Sequence, residues 1–168
     1  MTSLIQHFQM LAHYNALANQ KLYDACAQLS DAERKLIRPA FFKSIHGTLN
    51  HIMVGDRIWF GRFAGQEVPS TGLDTILYDN FAELQQARLK EDTRILEFVA
   101  TLTEAFLAQS ITYRNNAGVV HTDPTDVLLA HLFNHQTHHR GQVHDMLSQT
   151  EVAPPSLDLH RMLRPSPV

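Results

Sequence analysis

The chain has 168 residues, with 14 Lys+Arg against 17 Asp+Glu, a formal net charge of −3 and a pI near 6.4. That length fits one domain, 1–168, around a single core; 44% hydrophobic and 18% charged residues exclude a disordered chain, and the charge balance gives no footprint for nucleic acid. The single cysteine, Cys26, excludes an internal disulfide, a Cys-based zinc site and an Fe–S cluster, and no apolar run approaches the roughly 20 residues that span a bilayer.

The first predicted element is a long helix over residues 3–29. Its apolar stripe is Leu4, Phe8, Leu11, Ala18, Leu22 and Leu29. Because its start lacks a basic segment followed by an apolar core, no signal peptide is expected and the cytoplasm is the expected compartment. Residues 31–42 read as a loop with one short turn. Ser44 suits the N-cap of a second helix running to about Ala64, Gly65 suits its C-terminal stop, and Pro69 bars continuation. Residues 65–79 form a connection. A third helix is predicted over residues 80–108, with Phe81, Leu84, Ile95, Val99, Leu102 and Phe106 inward. Two β-prone runs, 110–113 and 119–122, flank Asn115-Asn116-Ala117-Gly118 and predict a hairpin. Asp123-Pro124 predicts the start of a fourth helix, with Asp123 as N-cap, running to about Gln149. The tail from 150 onward reads as loop or loosely docked chain. Four long helices and one short hairpin predict an all-α four-helix bundle with a short β-hairpin before the fourth helix. The long connections permit crossovers, so consecutive helices need not be neighbours.

Eleven residues are histidine, and five of them lie in the fourteen residues from His131 to His144. At about 100° per residue, His131 and His139 fall about 40° either side of His135, on the face that also carries Leu128, Leu132, Val143 and Met146. His138 is close enough to reach the same side, whereas His144 lies opposite and is expected to be solvated. His135 and His139, one turn apart, can direct both imidazoles at one point, which is how a helix offers two nitrogens to a metal. A third ligand must come from elsewhere. On the second helix His51 faces the core, with Gly47 and Gly55 one turn to either side. Each glycine costs about 1 kcal/mol relative to Ala, so each implies room or close packing there. His46 falls on the wrong side, and Asp56 lies about 140° from His51. Asn15 and Gln142 are candidate partners for the histidine rings, with an ordinary structural hydrogen bond the expected role for Asn15. Cys26 is expected to be a packed thiol. Arg62 and Arg140 lie near the histidine faces.

A lone H-x-x-x-H on a helix is a weak signal in a histidine-rich chain. The pair together with an inward histidine on a second helix makes a stronger one. Three His and no Cys fit an open, catalytic type of metal site, where water or substrate takes the fourth place. Imidazole donors suit several divalent ions and do not select among them.

Three segments resemble the DinB branch of the DinB/YfiT-like superfamily of four-helix-bundle metalloenzymes, the damage-inducible family. Tyr14-Asn15-Ala16-Leu17-Ala18-Asn19 is similar to its Y-N-x-W-A-N signature, with Leu17 in place of the common Trp. Leu49-Asn50-His51-Ile52 with Asp56-Arg57-Ile58-Trp59 resembles the second-helix signature. The run from Leu132 to Val143, LFNHQTHHRGQV, resembles the fourth-helix signature closely. The resemblance implies a divalent metal held by His51, His135 and His139, with zinc first and nickel, iron, manganese or cobalt as alternatives. It implies a homodimer, and a metal-dependent enzyme of the thiol-dependent S-transferase or hydrolase type. A low-molecular-weight thiol or other small molecule is the expected partner, with no nucleic acid and no membrane. The competing expectation is a stress-response protein that binds a metal or small ligand without turnover, favoured by a sealed or fully coordinated site. A third is a structural cluster of buried histidines.

Overall fold

A computed structural model describes residues 3–66 and 72–165. The helix starts are set by side-chain caps. Ser3 and Gln6 form a reciprocal capping box at the head of α1 (Leu4–Ala27). Ser30 accepts from the Glu33 backbone N–H to start the short α2 (Asp31–Lys35), and Ser44 accepts from that of Gly47 to start α3 (Ile45–Phe63). Gly65 follows α3 at φ 64°, where its N–H meets the Arg62 carbonyl. Pro69, read from the sequence as barring continuation of this helix, lies outside the described residues.

Asn80 caps α4 (Phe81–Ala100). The third helix was expected to reach residue 108, and it stops eight residues sooner. The Thr101 hydroxyl turns back to the Phe98 carbonyl, and Thr103 caps a separate turn, α5 (Glu104–Leu107), through the Phe106 N–H. Hydroxyls that bond local backbone compete with helix continuation, and the apolar spacing across this break conceals it. The hairpin follows as β1 (Ser110–Arg114) and β2 (Val120–Pro124), paired antiparallel with Thr112 opposite Thr122. Asp123 does not cap the next helix. It belongs to β2, its carboxylate accepts from the Tyr113 hydroxyl, and α6 (Thr125–Leu147) begins after Pro124 with no side-chain cap. The tail is docked more firmly than expected. Leu157 offers its carbonyl to the Tyr14 hydroxyl at 2.8 Å, His144 lies 3.1 Å from the Pro155 carbonyl, and α7 (Leu159–Leu163) packs on α1. His144 is therefore half-buried and engaged, where the wheel placed it in water.

The four long helices form the bundle, and they do not pack in chain order. α1 packs on α4 and α6, and α3 packs on α6 and α4, which sets α1 and α3 across a diagonal. Contacts between Gln9 and Val99 and between Asp24 and Gln85 make α1 and α4 antiparallel. Pairing of His51 with His139 and Trp59 with His131 does the same for α3 and α6. α3 and α4 run parallel, so the chain must return along the bundle between them. Residues 72–80 belong to that return and lie beside the first half of α3.

The core divides into two apolar clusters. One, around Phe60, Phe63, Ile95, Leu129 and Phe133, lies at the hairpin end. The other, around Leu22, Ile45, Leu49, Leu84 and Val143, lies at the far end. Between them the bundle interior is polar. No helix among the described residues is long and apolar enough to cross a membrane.

Candidate metal centre

The polar middle of the bundle is a charge network contributed by all four long helices. Asp56 of α3 is fully buried. It pairs with Arg88 of α4, and the side-chain amide of Gln136 of α6 donates to its two oxygens at 2.8 and 3.0 Å. Arg88 also pairs with Asp92 at 2.9 Å, and Asn19 of α1 donates to Asp92 at 2.8 Å. Arg140 of α6 donates to Asn15, Asn19 and Gln136. Two acids and two arginines balance in charge, as buried ions must. Burial pushes the Asp56 carboxyl up to about 6 against the opposing pull of Arg88. Asp56 lies 140° from His51 on the wheel because it faces the bundle axis, while His51 faces the α3–α6 seam. The sequence reading missed this network. Its signal was Arg88 and Asp92 spaced one turn apart on the inner stripe of an amphipathic helix.

In the seam His51, His135 and His139 come together, one ligand nitrogen from each within 4.8 Å of the others. The Nε2 of His51 is 3.0 Å from that of His135 and 3.2 Å from that of His139. Three nitrogens about 2.0–2.1 Å from a tetrahedral ion would sit roughly 3.3 Å apart. The donor set therefore fits one face of such a coordination sphere.

The tautomers strengthen that fit. Nδ1 of His51 lies 2.8 Å from the Leu73 carbonyl, an acceptor only, so the proton is on Nδ1. Nδ1 of His139 lies 2.8 Å from the Gln142 side-chain oxygen, while the Gln142 amide nitrogen faces His138 at 3.3 Å. Both rings thus carry their proton on the outer nitrogen, and their bare Nε2 lone pairs converge. Two lone pairs at 3.2 Å repel unless a cation lies between them. All three rings are held neutral: burial lowers His51, pushes His139 down to about 4, and, with the neighbouring histidines, pushes His135 down to about 3. Neutral imidazole is the form that ligates metal. Nδ1 of His135 is buried with no hydrogen-bond partner among the described residues.

Surrounding residues fix these rings. Phe42 stacks on His51, centroids 3.7 Å apart at 16°, and meets His139 edge-on. A Cβ on Gly55 would lie 2.7 Å from Cε1 of His135, so this glycine makes room for the His135 ring. Gly47 serves close packing, since a Cβ there would strike the Phe42 carbonyl at 2.4 Å. The partner anticipated at Gln142 is in place on His139, and Asn15 belongs to the charge network, as its structural reading had it. Phe42 and the Leu73 carbonyl were not anticipated, because both lie in connections without periodicity.

Of the remaining candidates, His46 points to the Tyr78 carbonyl at 2.8 Å, away from the trio. His131 packs on Trp59 and His138 on His139. Cys26 is fully buried, and burial pushes its thiol up to about 12, so it is no nucleophile. A pocket of about 390 Å³ opens against His51 and His135, bounded by Gly55, Trp59, Arg62 and the hairpin turn at 115–117.

The model of the DinB family matches residues 3–166. The chain is also 28% identical over 160 residues to Protein DinB of Bacillus subtilis (strain 168), covering 85% of this chain and 86% of that protein. Matched end to end and carrying a three-histidine cluster able to hold a metal ion, the chain belongs to the DinB family.

Proposed function

We propose that this DinB-family protein binds a divalent metal through His51, His135 and His139 and uses it as an enzyme of the thiol-dependent S-transferase or hydrolase type. The observation that carries the reading is the convergence of the His51 and His139 lone pairs, whose protons are held on the far nitrogens by Leu73 and Gln142. Zinc suits three imidazoles with an open fourth place best, with nickel, iron, manganese and cobalt as alternatives. Such an ion supplies Lewis acidity and lowers the pKa of a water or thiol bound to it.

The chain's own residues hold, orient and enclose. Phe42 shields one side of His51, Gln142 aims His139, and Gly55 lets the His135 ring approach α3 closely. The pocket beside His51 and His135 supports turnover over storage, since it gives a small molecule access to the fourth place. A screen of low-molecular-weight thiols against electrophiles, with metal-loaded and metal-free protein side by side, tests the reading. Activity that requires the metal is expected, and equal rates with and without it would reject the proposal. We further propose a homodimer. The exposed Ile37 and Phe41, 76% and 81% accessible, support it as apolar surface that association would cover.

A further inference from the structure

The pocket beside the trio has a second pole. Because α3 and α6 run antiparallel, their facing residues form a ladder along the seam. His51 meets His139 and His135, Gly55 meets His135, and Trp59 meets His131 with ring centroids 5.1 Å apart. Arg62 comes next on α3. Its guanidinium lies 4.5 Å from the Trp59 ring centroid and 4.3 Å from that of Tyr113. Nη2 donates to the Arg114 carbonyl at 3.1 Å, and Nε is buried with no hydrogen-bond partner among the described residues.

These contacts hold the guanidinium plane, and none supplies a negative charge. Among the described residues Arg62 forms no ion pair and no Asp or Glu lines the pocket. In a chain of net charge −3, a pocket whose described lining carries no acid and ends in an arginine is a local exception. A metal ion at the other pole would add two positive charges. The Arg fork matches a carboxylate or phosphate in shape and hydrogen bonding. Eleven residues separate His51 from Arg62, roughly 16 Å of helix. The arginine folds back over Trp59, which brings the guanidinium nearer to the trio than that rise.

We infer that this pocket binds an elongated anionic small molecule, with a metal-ligating atom at the histidine trio and a carboxylate or phosphate on Arg62. The inference rests on the metal-centre reading. It makes Arg62 a specificity determinant that tells acidic ligands from neutral ones of equal length.

The test uses the full chain loaded with Co²⁺, whose absorption reports a coordinating thiolate. Three probes of equal chain length are titrated: 6-mercaptohexanoate, 6-mercaptohexan-1-ol and 6-mercaptohexyl phosphate. The wild type is expected to bind at least one of the two acids about tenfold more tightly than the alcohol, and the tighter acid identifies the ligand class. Arg62→Gln should erase that preference while leaving the affinity for the alcohol unchanged, and Arg62→Lys should restore part of it. Equal affinity for acids and alcohol in the wild type would overturn the inference while the metal centre stands. So would a preference that survives Arg62→Gln, or a loss of all three probes together, which would reduce Arg62 to a support for the hairpin. Failure of the wild type to take up Co²⁺ would remove the metal-centre reading, and this inference with it.

Discussion

At His51 and His139 the chemistry is decided by the nitrogens that face away from the cluster. The Leu73 carbonyl and the Gln142 side chain each take an Nδ1 proton, and so each leaves an Nε2 lone pair pointing inward. His135 differs: its position is set by space. Gly55→Ala would bring a methyl group within 2.7 Å of the His135 ring, and a backbone-anchored Cβ cannot move aside. Metal affinity is expected to fall about 10–100-fold, on the scale of a lost orienting contact, with roughly 1–3 kcal/mol of overpacking. Isothermal titration and urea denaturation of this variant check both numbers. Wild-type affinity would show that the ring can lie elsewhere and still bind.

Burial also sets a pH dependence at this scale. His139 titrates near 4 and His135 near 3 in the fold, below the ordinary 6.5. As pH falls through 6.5 the unfolded chain takes up protons that the folded chain refuses. Their contribution to stability is therefore present above about 6.5 and lost on the way down to 4 and 3. Asp56, raised to about 6, works in the opposite sense over part of that window, so the comparison must isolate the histidine. The stability difference between metal-free wild type and His139→Gln is expected to shift against the wild type between pH 7 and pH 5. A difference that does not change with pH would contradict the account.

Among the elements, the return segment and the charge network do most to place the site. The residues 72–80 bring the Leu73 carbonyl to His51 only because α3 and α4 run parallel, which obliges the chain to travel back along α3. The network locks the four helices at mid-height, with Gln136 and Arg140 next in sequence to His135 and His139. Arg88→Met would leave Asp56 and Asp92 buried without their cation, and should cost about 3–5 kcal/mol. Chemical denaturation measures this, and a loss under 1 kcal/mol would show that water or a shifted arginine compensates. Much of this level was legible in the sequence. Ser44, Gly65 and the Asn-Gly turn gave their local structure directly, because each acts through its own backbone neighbours. Thr101 and Thr103 did not, since an unbroken apolar stripe runs across the break they make. Asp123 read as a cap and became a strand residue, because pairing with β1 outcompeted a local hydrogen bond.

Taken whole, the bundle is two apolar cores separated by a polar waist, with the histidine seam on the waist's outer side. The three histidines could be chosen from helical spacing and family signature, because α3 and α6 are long and regular. The pocket could not, since the hairpin turn and Arg62 that bound it meet only in three dimensions. The proposed homodimer belongs to this scale too. Light scattering at micromolar concentration should give twice the chain mass of 19.1 kDa, and Phe41→Ser should shift it toward the monomer. A monomeric wild type would refute it.

The most direct test of the metal centre is the metal content of the purified chain, read by inductively coupled plasma mass spectrometry alongside His51→Ala, His135→Ala and His139→Ala. About one divalent ion per chain in the wild type, and loss of most of it in each variant with helical content retained, is the predicted result. A wild type that carries and takes up no divalent metal, or a full complement in all three variants, would contradict it.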